Sequence, residues 1–221
     1  MIPFVSMNVD PSVPVDAQLG LPAEDEIGEE GYGVFRNVWT IYPPDLVQLA
    51  ALLDEERLLV SLIDEASQTT AEFEARAAAV EGGDPNGLPS SYIDQNPDSP
   101  LIQSIIEDDR EAPLLALELG VSGLSHALTT AGCLTAASCR SHESVRSWSD
   151  CPAIFFAAER STMDWLAPLI RDTGCGLSDG SDRGDRLLIL VAPSIAHFMD
   201  LARSVYRHLD ESSLSTGAAE T

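Results

Sequence analysis

Pro152-Ala-Ile-Phe-Phe-Ala-Ala158 and Leu187-Leu-Ile-Leu-Val-Ala192 are the stretches that decide the fold. Each is a short, unbroken apolar run bounded by polar or turn-forming residues. Runs of this length without helical periodicity read as strands covered on both faces. Working outward, Cys133 to Ser138 predicts a strand before the first run, and Cys175 to Ser178 one before the second. Three helical patterns separate and flank them. Pro113 to Thr130 carries Leu114, Leu117, Val121, Leu124 and Leu128 as an apolar stripe and meets a stop signal at Gly132. Ser161-Thr-Met-Asp164 has the form of a capping box, with Pro168 expected to kink the following helix and Gly174 to end it. The last helix aligns Ile195, Phe198, Met199, Ala202, Val205, Tyr206 and Leu209 on one face. The order α-β-β-α-β-β-α predicts an α/β (α+β) fold, a small mixed sheet covered by helices on one side.

The front of the chain is built differently. Residues 1–31 read as an acidic arm, extended or disordered; positions 8–31 hold seven acids and no base. Gly33 to Tyr42 has the aromatic and β-branched content of a strand, which Pro43-Pro44 stops. Leu46 to about Val80 is helical in composition, as one helix or two, because Asp54-Glu55-Glu56 interrupts its apolar stripe. That stripe suits either a partner or, as amphipathic helices more commonly do, the protein's own core. Residues 82–112 read as a linker or loop: Gly82 to Pro100 alone contains four prolines and three glycines. The expected division is therefore an arm (1–31), a strand plus helical segment (32–81), a linker (82–112), an α/β domain (113–211) and a flexible tail (212–221).

Composition narrows the function. The 221 residues carry a formal charge of −24, and all twelve basic residues are arginine. Without lysine there is no Schiff-base chemistry and no P-loop lysine. The charge is uneven: 24 acids face 4 arginines in residues 1–131, against 12 and 8 in residues 132–221. Such a surface opposes binding to nucleic acid or to anionic membranes and favours a partner protein with a basic surface. Adaptation to salt or a GC-rich genome also accounts for the acidity. No apolar run is long enough for a transmembrane helix. The first residues lack a basic n-region, and four unevenly spaced cysteines do not form a disulfide framework, so the cytoplasm is the expected compartment.

The residues with chemistry to offer gather in Thr135-Ala-Ala-Ser-Cys-Arg-Ser-His142 and the loop after it. Cys139, His142 and Cys151 are spaced C-x2-H-x8-C, and thiolates with imidazole suit zinc. Cys133 lies about 20 Å from Cys139 along a strand at ~3.3 Å per residue, too far to share an ion. Cys175, Asp150 or Glu143 would have to complete the set, or the fourth position stays open. Cys139 with His142 as its base is the alternative, a thiol nucleophile. Other patterns read as structure. Gly120-Val-Ser-Gly123 falls inside a predicted helix and misses the nucleophile-elbow spacing, although its glycines would let another backbone approach closely. Asp179, Asp182 and Asp185 lack the EF-hand order and read as a solvated turn.

The helix ending in Ala131-Gly132, the strand with Thr135, and Ser138-Cys139 followed by a β-α-β-α run resemble the Thr-Ser-Ser-Cys-Ser-Gly-Arg segment of the wybutosine-synthesis tRNA methyltransferase family. The same stretch is similar to the Ser-Cys-x-Gly-His segment of several bacterial and phage proteins. Ser138 and Cys139 match the first motif and His142 the second, while Ser141 stands where a glycine is expected. Over roughly residues 113–209 the resemblance implies the fold, S-adenosylmethionine as cofactor, and Ser138, Cys139 and His142 as the residues near it.

The function expected from the sequence is a non-enzymatic binding or regulatory module acting through its acidic front half. The alternative is a metal- or S-adenosylmethionine-binding domain centred on Ser138–Cys151, and a further one is a DNA mimic that occupies a basic protein.

Overall fold

The described residues are 1–28, 31–36, 42–107, 117–141 and 149–217 of the computed structural model. Both apolar runs are strands, and they are neighbours. Leu134–Cys139 (β3), Ala153–Ala157 (β4), Gly176–Asp179 (β5) and Leu188–Val191 (β6) form one sheet in the order β3-β4-β6-β5. Every pairing is antiparallel, so within the expected α/β class the sheet is of one sense and not mixed. Arg160–Asp172 (α6) crosses from β4 to β5, and β6 fills the gap between them.

Both central strands are apolar on both faces, and each face has its own cover. Ile154, Phe156, Leu188 and Leu190 meet the large core shared with Leu46–Glu65 (α1), Thr70–Glu81 (α2), Ser122–Thr130 (α5), α6 and Ile195–Gly217 (α7). Phe155, Ala157 and Leu187 instead join Tyr32 in a smaller cluster, with Phe35 against it. Tyr32 and Phe35 belong to a two-stranded hairpin, Gly31–Tyr32 (β1) and Phe35–Arg36 (β2). The single strand expected from Gly33 to Tyr42 is thus a hairpin over its first residues, because Gly33 adopts φ +60° and turns the chain back. Residues 37–41 lie outside the described residues.

The helical segment is two helices. α1 runs unbroken through Asp54-Glu55-Glu56, and the chain breaks only at residues 66–69, where Thr69 caps α2 by accepting the Glu72 N–H. The apparent interruption of the stripe is a buried side chain: Glu56 is 1% exposed. The stretch read as a linker packs into the same core as far as it is described. Ser90–Gln95 (α3) and Pro100–Ile106 (α4) form within it, and Leu88, Leu101, Ile102 and Ile105 are buried.

The acidic arm is extended and tied down. Val5 N–H donates to the Pro193 carbonyl at 2.8 Å, and Gly20 N–H to the Ala158 carbonyl at 2.9 Å. Between them Leu177 N–H donates to Asp10 O at 2.6 Å, so the arm lies against the outer edge of β5 and pairs with it at that position. No helix among the described residues is long and apolar enough to cross a membrane.

The helix predicted from Pro113 begins only at Ser122. Residues 113–116 lie outside the described residues, and Gly120 adopts φ +86°. Glu56 explains the late start. Its Oε1 accepts the N–H of Gly120 at 2.9 Å and of Gly123 at 3.1 Å, so a carboxylate from α1 caps the N-terminus of α5. What approaches Gly123 closely is therefore a carboxylate rather than a backbone, and a Cβ there would collide with Glu56 and with Leu53. Gly123→Ala is expected to lower stability by about 2 kcal/mol, seen as a lower urea midpoint with an unchanged m-value.

Candidate functional site

The strands bring two of the predicted site residues to the same end of the sheet and separate a third from them. Strict alternation along β3 would put Leu134, Ala136 and Ser138 on one face. A bulge between Thr135 and Ala137 breaks the alternation, so that Leu134, Ala137 and Cys139 oppose Ala157, Phe155 and Ala153. Cys139 therefore shares the face of Ala153 and Phe155. Ser138 opposes Ile154 and belongs to the helix-covered side. Ser138 and Cys139 do not act from one face.

Cys151 lies two residues before Ala153, close enough to Cys139 for the charge of one thiolate to oppose the other. Burial pushes the Cys151 thiol up from its ordinary value, while a hydrogen bond with Ser149 works against that rise. Ser149 Oγ also donates to the Cys151 carbonyl at 2.6 Å. A thiol whose ionisation is opposed in this way is a weak nucleophile at neutral pH. Ser141, just beyond β3, holds φ +71°, so the backbone turn that a glycine would favour is made here by a serine. His142 and Glu143 lie outside the described residues.

The other cysteines do not join this corner. Cys133 and Cys175 are buried in the helix-side core, and burial pushes both thiols up to about 12. Cys175 is not a fourth ligand, because it lies in the core that the opposite face of the sheet meets. Among the described residues no three His, Cys, Asp or Glu side chains gather around a possible ion position. Asp179, Asp182 and Asp185 are engaged separately. Asp179 takes hydrogen bonds from Ser181, Asp182 pairs with Arg183 at 3.4 Å, and the Asp185 carbonyl accepts from the Tyr32 hydroxyl.

Sequence reasoning overlooked two features. The first is a cavity of about 550 Å3 on the hairpin side of the sheet. Ala153, Phe155, Ile189 and Val191 from β4 and β6 line it, with Phe35 of the hairpin opposite. Ser149 and the turn after β5, with Asp179, Asp182 and Arg183, supply its polar groups. The signal was available, since strands apolar on both faces need a second cover and a two-stranded hairpin is too small to provide all of it.

The second feature is Arg140, the next residue after Cys139. Its side chain is 1% exposed and forks onto Glu81, Nη1 to Oε1 at 2.9 Å and Nη2 to Oε2 at 3.3 Å. Nη2 also pairs with Glu74 at 3.3 Å. The Arg140 N–H donates to Glu118 Oε2 at 2.6 Å, and the Leu119 N–H to Glu81 Oε1 at 2.7 Å. This network anchors the thiol corner to α2 and to the segment entering α5. It leaves the corner rigid on one side and next to a cavity on the other.

Compared with protein-family models, with curated proteins and with solved structures, the chain shows no match.

Proposed function

We propose that this protein is a non-catalytic binding and regulatory module whose partner is a protein with a basic surface, engaged by the acidic front half. The observation that carries this reading is where the front-half charges stand. Glu65, Glu72, Asp94, Asp98 and Glu107 are exposed across α1 to α4. The two arginines of the same helices are turned to other work: Arg57 pairs with Asp200 at 2.9 Å, and Arg76 donates to the Gly87 carbonyl at 3.2 Å. The apolar stripe of α1 is spent on the protein's own core, with Leu49, Leu59, Val60 and Ile63 all buried. What remains for a partner is a surface of one sign, which accelerates encounter with a cationic protein and repels polyanions.

The test uses the partner recovered by cross-linking in the cell of origin. Replacing Glu65 and Glu72 by glutamine and Asp94 and Asp98 by asparagine should slow association severalfold at low ionic strength, with dissociation little changed. The difference should fade at high salt. An association rate indifferent to both salt and these four substitutions overturns the proposal. Competition by duplex DNA would identify the partner as a DNA-binding protein and the acidic surface as a DNA mimic.

A second reading has an observation of its own: Cys139 and Cys151 are close together at one end of the sheet. They are the thiol half of a zinc-type donor set, or one wall of an S-adenosylmethionine site. Protein prepared without a metal-binding tag would then carry near-stoichiometric zinc, lost in Cys139→Ser. Absence of metal from both proteins removes the zinc form of this reading.

A further inference from the structure

We infer that Cys139 and Cys151 form a reversible disulfide, which makes the end of the sheet where they meet an oxidation-sensitive modification site. This chemistry is independent of the acidic front surface. Cys139 opposes Ala153 in the last pair of the β3–β4 ladder. Cys151 stands two residues outside that pair, in the chain entering β4, and the charge of one thiolate reaches the other. Both side chains are thiols. Diagonal positions of an antiparallel pair lie about 7–8 Å apart between Cα atoms, and a disulfide spans up to about 7 Å, so the bridge asks for a shift of about an ångström. The ladder ends at Ala153, so no β3–β4 pairing holds Cys151 against that shift.

The other two cysteines cannot stand in for either thiol. Cys133 lies at the opposite end of β3, roughly 20 Å away at ~3.3 Å per residue. Cys175 precedes Gly176 of β5, three strands from β3 and in the core on the opposite face. At ~4.8 Å per strand that separation is roughly 14 Å. Exposure sets the order of events. Cys151 is half-buried and Cys139 buried, so an oxidant meets Cys151 first and Cys139 resolves the product.

The oxidant is a low-molecular-weight disulfide such as glutathione disulfide. The Cys151 thiolate attacks one of its sulfurs, forming a mixed disulfide and releasing one glutathione thiolate. The Cys139 thiolate then attacks the Cys151 sulfur, forming the protein S–S bond and releasing the second glutathione. Two protein thiols are oxidised, one glutathione disulfide is reduced to two thiols, and the two protons pass through solvent to the leaving thiolates. Reduced glutathione runs the same steps backwards. Cys151 is a weak nucleophile, so the test reads the equilibrium and not the rate.

The native full chain is equilibrated in glutathione buffers from reducing to oxidising, quenched in acid, alkylated and mapped by mass spectrometry. Wild type is expected to lose two of its four thiols in one transition and to yield a linked Cys139–Cys151 peptide pair. Cys139→Ser should stop at a glutathione adduct on Cys151, and Cys151→Ser should keep every remaining thiol. The inference is overturned if native wild type keeps all its thiols in the oxidising buffer or stops at the Cys151 adduct. A bridge between other cysteines, or between two chains, overturns it equally. So does a bridge that forms only after urea is added, because that bridge belongs to the unfolded chain.

Discussion

Glu56→Ala is expected to destabilise the protein by about 3 kcal/mol, because it strands buried N–H donors at the start of α5 and leaves a void. The same residue gives the fold a pH dependence of unusual sign. Burial pushes the Glu56 carboxyl up to about 7 from an ordinary 4.5, even though the N–H groups of Gly123, Gly120 and Ser122 favour its charged form. A folded-state value above the unfolded one means that the native protein binds the extra proton. The stabilisation from that proton is fully present below pH 4.5 and is lost as the pH rises through 7. Between those limits the fold should weaken by roughly 3 kcal/mol on account of this group. Glu56→Gln keeps the shape and an amide oxygen as acceptor but cannot titrate. Urea midpoints of wild type and Glu56→Gln between pH 5 and 8 therefore isolate the effect from relief of surface repulsion, which both proteins share. Parallel curves would show that Glu56 does not titrate in this window.

Arg140→Met should cost more, about 3–5 kcal/mol. The guanidinium pairs with both Glu74 and Glu81, and its removal takes that shared cation away from two carboxylates of low exposure. Methionine replaces the volume but neither the fork nor the charge. If carboxylates deprived of this cation cause the loss, adding Glu74→Gln and Glu81→Gln to Arg140→Met should restore much of the stability, and the triple variant should outlast the single one in chemical denaturation. A triple variant less stable than Arg140→Met would instead locate the cost in packing. Because Arg140 follows Cys139 directly, the single variant should also raise the reactivity of Cys139 towards a thiol reagent.

The back half was legible because its signals are local. Apolar runs such as Pro152–Ala158, a stripe such as that of α7, and turn residues such as Gly174 carry their meaning within a few positions, and the sheet, α7 and the end of α6 form where those positions indicate. By contrast, α6 opens at Arg160 after Glu159 with no side-chain cap, and not at the capping box expected from Ser161. The parts that were not legible depend on residues far apart in sequence. The start of α5 is set by Glu56, more than sixty residues earlier. Asp54-Glu55-Glu56 looks like a polar interruption until the third acid is seen to be a cap. The face on which Cys139 lies depends on a bulge at Thr135/Ala137 that shifts the register by one, and no composition rule signals it. Arg140 carries no local signal of its role, since its acids come from helix α2 and from the segment before α5.

The strand order has a consequence for how the molecule is made. β6, the last of the four sheet strands in chain order, is central in space and pairs with both β4 and β5. Until Leu188–Val191 has emerged, β4 and β5 each keep an open edge, and α7 is not yet there to cover the helix-side face. The nascent chain thus passes through a long interval with the Phe155–Phe156 strand unsealed, in which a second nascent copy can pair with it. The heavy negative charge opposes such pairing, because two copies of like charge repel one another.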